Sequence, residues 1–272
     1  MTFFEKIVFA LQIRGESPAS YGSFHLISIA LCILTTVLLC IFARGVNEKT
    51  FRLIIAISWG IMLIFEIYKQ LVYSFNAETL EWTYQWYSFP FQLCSTPLYL
   101  LPLVAFMKEG KIRDGIMMFI STFAFFGGVC VMVFPNDVFR TSLVGIHIQT
   151  MLHHGLQIAL GIYIAVYNRK RLNKESFIIS VIIFAILTAV ALIGNVIVHS
   201  ALPESGFNMF YISPYYACTL PLLSEVYKAT PYIVFLLVYI LGFVLCAVIM
   251  RLLILGGIKL CEFLSNKIKG NK

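Results

Sequence analysis

Charge is scarce in this chain. Asp, Glu, Lys and Arg together make 12% of the 272 residues, against 60% hydrophobic residues. A soluble domain carries about a quarter charged residues, and it could not hide so much apolar surface. Also missing are the short alternating segments of a membrane β-barrel, internal repeats, low-complexity tracts and any composition break that would mark a second domain. The seven cysteines (Cys32, Cys40, Cys94, Cys130, Cys218, Cys246 and Cys261) show no CxxC spacing. That removes a disulfide framework and a zinc site, and it leaves each thiol as a small buried hydrophobe in the first instance. No GxxxxGK[ST] loop is present to cradle nucleotide phosphates. No A-x-A cleavage site follows the weak apolar stretch at the start, where Glu5 and Lys6 lie, so a signal peptide is not expected. Residues 231–255 contain no lysine, which excludes a retinal Schiff base there.

What is present is a series of apolar blocks of about twenty residues, the length that crosses a bilayer core as a helix. Lipid offers backbone amides no partners, so the blocks must be helical. The blocks are 23–43, 53–74, 88–107, 115–134, 145–167, 176–199 and 231–255. The net charge of +7 is gathered in short clusters between them, a topology signal rather than a nucleic-acid footprint. One side would hold fifteen positive residues, among them Arg44, Arg52, Arg113, Arg171 and Lys272, against Lys6, Arg14, Arg140 and Lys228 on the other. The expected fold is therefore all-α: a polytopic bundle of seven transmembrane helices, N-terminus outside and C-terminus cytoplasmic. Residues 1–22 would form an interfacial segment, 23–255 the transmembrane domain and 256–272 a basic cytoplasmic tail. The longest connection, 200–230, is rich in aromatics and prolines and is expected to dip into the membrane surface or form a lid.

Ionisable groups inside a span are costly and are functional candidates by default. Span two carries Glu66, Lys69 and Gln70 on one face, with Glu66 about 13 Å from the outer end at 1.5 Å per residue; the plain alternative is an internal Glu66–Lys69 ion pair. Span three reads FPFQLCSTPLYLLPL. Counted as helix, it sets Cys94 about 10 Å deep. Pro97 takes the helical partner from the Leu93 carbonyl and loosens the backbone beside the thiol. Gln92 adds a polar group there. Span five places His147, Gln149, Thr150, His153, His154 and Gln157 on half its circumference, a face that suits a bundle interior or wet cavity, not lipid. Asn195, near the outer end of span six, would orient a partner or bind a headgroup. A cysteine and a histidine at common depth make a minimal nucleophile and base. On an ideal helix, however, Cys94 projects away from Gln92, Ser95 and Tyr99.

Three segments carry a resemblance: QLCSTP at 92–97, FRTSLVGIHIQTMLHHG at 139–155 and GN…NMFYISP ending at 214. They resemble the YwaF family of bacterial integral membrane proteins and, more distantly, the eukaryotic transmembrane protein 164 family, described as cysteine-dependent acyltransferases that move fatty acyl chains between phospholipids. The resemblance implies Cys94 as nucleophile and His154 as base, with His153 as the other candidate; the polar groups read within the spans, Glu66, Gln92, His147, Gln157 and Asn195, are then expected as supporting or substrate-binding residues. Many members carry a histidine where this chain has Gln92. It further implies phospholipid or lysolipid partners, the cell membrane as location, and neither cofactor nor metal. The rival is a transporter or channel with a cavity lined by Glu66 and the histidines.

Overall fold

The computed structural model describes residues 1–43 and 45–270. Arg44 and Lys272, both counted above on the cytoplasmic side, lie outside the described residues. The protein is mostly helical, and among the described residues strand is limited to the two-residue pair Phe75–Asn76 and Glu81–Trp82. Among the described residues, five helices are long and apolar enough to cross a membrane: Ser23–Phe42 (α2), Glu48–Ser74 (α3), Lys111–Val133, Lys174–Ala201 (α8) and Tyr232–Cys261, the apolar part of α10 (Tyr232–Gly270). Their outer faces are bare hydrocarbon; on α2 only His25 and Cys32 are buried. The helix Lys111–Val133 is built of α5 (Lys111–Phe119), a π-helical turn at Ile120–Ala124 and α6 (Phe125–Val133).

Two expected spans are not among these five. The first is 88–107. Residues 83–96 are mostly irregular, with single turns at Trp86–Ser88 and Leu93–Ser95, and only α4 (Pro97–Phe106) is regular helix. Proline explains the break: Pro97 has no N–H to continue a helix from above, and its fixed φ suits the first helical position. Rise per residue along a helix therefore says nothing about the depth of Cys94. Within α4, Pro102 cannot donate to the Leu98 carbonyl, and Trp59 Nε1 of α3 donates to it instead at 2.9 Å. The second is 145–167, where α7 (Val144–Tyr167) does form. Its polar face excludes it from the long apolar helices and makes it the central one, packed on α2, α3 and α6.

The chain outside the long helices is tied to their ends. At the N-terminus, Thr2 and Glu5 form a reciprocal cap that starts α1 (Phe3–Leu11). Beyond it, Gln12 donates to the carbonyls of Val72 and Phe75, Arg14 bridges Leu143, and Ser17 donates to the Thr141 carbonyl. Residues 12–17 thus strap the end where α3 finishes and α7 begins. His25 Nε2 donates to the Met132 carbonyl at 2.9 Å while its Nδ1 accepts from the Tyr21 amide, tying α2 to the end of α6. The 200–230 connection, which includes α9 (Leu223–Ala229), folds back into the core: Phe207, Met209, Phe210 and Ile212 are buried. At the other end, α10 continues past 255, so the residues expected as a tail prolong the helix as far as Gly270.

Candidate active site

The polar face of α7 is turned inward. His147, Thr150, His153, His154 and Gln157 are all buried. His154 is the eleventh of 24 residues, close to the middle of the helix.

Cys94 lies in the tight turn Leu93–Ser95 rather than on a helix. The turn is consolidated by Thr96, whose hydroxyl donates to the Leu93 carbonyl at 2.6 Å, the group that Pro97 deprives of a helical donor. The thiol is free and half-buried. The carbonyl of Cys94 meets His153 Nε2 at 2.9 Å. A carbonyl can only accept, so Nε2 carries the proton, and His153 Nδ1 is left as a buried atom with no hydrogen-bond partner. His154 is held the other way round. Its Nδ1 donates to the Thr150 carbonyl one turn back, at 2.7 Å, and its Nε2 has no partner. The two rings are 5.3 Å apart, tilted by 62°. The sequence points to His154 as the partner of Cys94, whereas the residue that reaches Cys94 is His153, through the backbone.

Two glycines of α6 lie against this centre, and the second of them, Gly128, is tightly packed. A Cβ on Gly127 would stand 3.7 Å from Cys94 Cα and Cβ and 3.6 Å from Gln157 Nε2, so the three residues meet there. At Gly128 the same atom would lie 3.2 Å from the His154 carbonyl. The GG pair within an apolar run is the sequence signal for such close backbone approach, and the composition-led reading overlooks it. Gln157 donates to the carbonyl of Ala124, at the end of the π turn. Such turns often accompany functional sites because they leave backbone groups out of register.

The other candidates divide between the centre and its supports. Glu66 pairs with Lys69 at 2.8 Å and accepts from Gln70 Nε2 at 2.6 Å; Gln70 also donates to the Ser88 carbonyl. Gln92 donates to the Asn208 carbonyl at 2.8 Å, and Asn195 bonds both the N–H and the carbonyl of Met209. Gln92 and Asn195 thus fasten the folded-back connection beside Cys94. His147 stands apart, in edge contact with Phe24 and Phe139, beside a cavity of about 450 Å³ lined by Glu16 and Phe24. A larger open cavity of about 600 Å³ lies under the N-terminal strap and is lined by Arg14, Glu78 and Glu81. Neither cavity is lined by Cys94, His153 or His154.

Among the described residues no cluster of His, Cys, Asp and Glu has the arrangement to hold a metal. What the centre offers is a thiol, two imidazoles each with a free nitrogen, and a buried ion pair on α3. No curated protein and no solved structure matches the chain. Residues 20–253 match the TMEM164 family, and with most of its length covered the chain, a multi-pass membrane protein, belongs to that family.

Proposed function

We propose that the protein is a membrane acyltransferase that moves fatty acyl chains between phospholipids and lysolipids through a thioester on Cys94, with His153 as the base. In the first half-reaction the Cys94 proton passes to His153 Nδ1. The thiolate attacks the ester carbonyl of a phospholipid, the ester C–O bond breaks, and the leaving alkoxide takes the proton back from the histidine. In the second, a lysolipid hydroxyl gives its proton to the histidine and attacks the thioester, and the released thiolate is reprotonated. Exclusion of water from the bundle favours transfer over hydrolysis.

The observation that carries this reading is the contact between His153 Nε2 and the Cys94 carbonyl, which fixes the tautomer that leaves Nδ1 unprotonated on a residue bonded to Cys94 through the backbone. The acyltransferase description of the family, the motif resemblance to bacterial YwaF proteins and the half-buried state of the free thiol support it. The orientation belongs to the same reading: seven crossing segments in the cell membrane, N-terminus outside and C-terminus in the cytoplasm. Arg52 and Arg113 share Glu48, Arg171 pairs with Glu109 and Lys111 with Glu175, contacts among residues that the charge bias assigns to one side of the membrane.

The test is intact-protein mass spectrometry after incubation in vesicles of a phospholipid with one defined acyl chain. The expected result is a mass increment of that chain, carried by the peptide containing Cys94, removed by hydroxylamine and absent from Cys94→Ser. A Cys94→Ser protein that keeps full function, with Glu66→Gln abolishing it, would overturn this reading and favour a transport cavity.

A further inference from the structure

The acyl-transfer reading leaves unused a buried charge on α3, on a stripe bonded to the segment that carries Cys94. Trp59, Met62, Glu66, Lys69 and Gln70 recur at helical spacing on one stripe of α3. The stripe is pinned at both ends to the segment that carries Cys94. Trp59 Nε1 donates to the Leu98 carbonyl at 2.9 Å and Gln70 Nε2 to the Ser88 carbonyl at 3.0 Å. Cys94 lies between residues 88 and 98, so the part of the stripe between 59 and 70 runs alongside the segment that carries it. Glu66 is buried, and the Lys69 side chain is only 16% exposed. Burying such a pair is costly, and packing alone would be served as well by apolar residues.

The groups within electrostatic reach of Cys94 are Lys69 and Glu66 of α3, His153 of α7, Cys130 of α6, Tyr211 of the folded-back connection and Tyr239 of α10. Thiol, phenol and imidazole are mostly uncharged at neutral pH, so Lys69 is the positive member of this group. In a low-dielectric interior one such charge is felt strongly.

We propose that Lys69, paired with a Glu66 that Gln70 holds in place, stabilises the negative charge that forms at Cys94, with Glu66 setting how much of the lysine charge the thiol feels. This rests on the acyl-transfer reading for its purpose but not for its measurement. Where that reading holds, the same ammonium also faces the oxyanion of the tetrahedral intermediate, and Lys69 is a charge-stabilising neighbour of the nucleophile rather than a proton carrier.

The experiment is the pH–rate profile of Cys94 alkylation by N-ethylmaleimide, read by peptide mass spectrometry on the detergent-solubilised protein without lipid substrate. Lys69→Met should slow alkylation about tenfold near neutral pH and require higher pH to recover the rate, the size of effect that one lost charge contact has on ionisation. Lys69→Arg should restore most of it. Glu66→Gln should accelerate alkylation, because it removes the competing anion. Opposite signs for Lys69→Met and Glu66→Gln are the signature; a packing role would make both variants alike. If Lys69→Met does not fold, Glu66→Gln decides alone: faster alkylation supports the proposal, and an unchanged or slower rate overturns it. If the wild type forms no acyl thioester and the variants still show these shifts, the acyl-transfer reading falls and this inference stands.

Discussion

Trp59 Nε1 meets the Leu98 carbonyl at 2.9 Å, and Leu98 is the acceptor that Pro102, four residues on, leaves without a helical donor. A tertiary side chain thus completes the ladder that proline interrupts. Trp59→Phe keeps much of the apolar volume and orphans that carbonyl. It should cost about 1–3 kcal/mol, the penalty for an unsatisfied buried polar group. In a Pro102→Ala background, where an amide becomes available, the same change should cost less. Thermal unfolding in detergent of the two singles and the double reads the coupling; strict additivity would mean that the indole makes no such bond.

The two histidines differ in what their rings already do. His153 spans from α7 to Cys94, whereas His154 bonds to its own helix. His153→Gln should lower acyl transfer by about 100-fold or more, in the range that loss of a general base produces. His154→Gln should cost less, since its bond to Thr150 is local. The readout is the rate of acyl exchange in vesicles containing a labelled phospholipid and an unlabelled lysolipid. A larger loss at His154 would move the base to that residue and break the link between the Cys94 carbonyl contact and catalysis.

Close packing of α5 on α8 depends on Gly115. A Cβ there would stand 2.2 Å from Ile179 Cγ2 and 2.7 Å from its Cβ, so something must shift. Gly115→Ala should destabilise by about 1–3 kcal/mol, the usual cost of overpacking. Ile179→Ala in the same protein should recover part of it. Gly127→Ala is the contrast: its Cβ would meet Cys94 and Gln157 at ordinary contact distance, and folding should be unaffected. Melting temperatures of the four proteins give the comparison.

Orientation has its own check. A reporter active only in the cytoplasm should work when fused after Lys272, and one active only outside should work at the N-terminus. The reverse pair of results would turn the bundle over and assign Arg52, Arg113 and Arg171 to the outside.

Five helices were legible in the sequence because hydrophobic length alone specifies them. The polar stripe of α7 was legible for the complementary reason: six polar residues at helical spacing have nowhere to go but inward. The segment around Cys94 was not. QLCSTP reads as the middle of an apolar run, and the consequence of Pro97 depends on what covers the carbonyls it frees. Thr96 is local and could be guessed; His153 and Trp59 come from other helices and could not. The warning that Cys94 would face away from the polar groups near it assumed a helix that does not form there. Which of the two rings meets the Cys94 carbonyl was likewise out of reach, because neighbours on a helix differ by about 100° in direction and the position of the Cys94 turn is not read from periodicity. The Glu66–Lys69 pair formed as its spacing implied.

Asn195 supplies the last prediction. Its Oδ1 accepts from the Met209 amide at 2.7 Å and its Nδ2 donates to the Met209 carbonyl at 3.0 Å. This two-way bond pins a turn in which Phe210 and Tyr211 both hold φ at 57°, a left-handed conformation that non-glycine residues adopt only under constraint. A second tie comes from Gln92 to the Asn208 carbonyl. Asn195→Leu preserves volume and removes both bonds, and it should free residues 207–213 while the rest of the bundle stays intact. Hydrogen exchange at those amides should speed up markedly, with Gln92→Leu adding to the effect and protection of α3 and α8 unchanged. A variant that keeps full protection of residues 207–213 and loses only acyl transfer would show instead that Asn195 contacts the lipid substrate, as its position near the end of α8 first suggested.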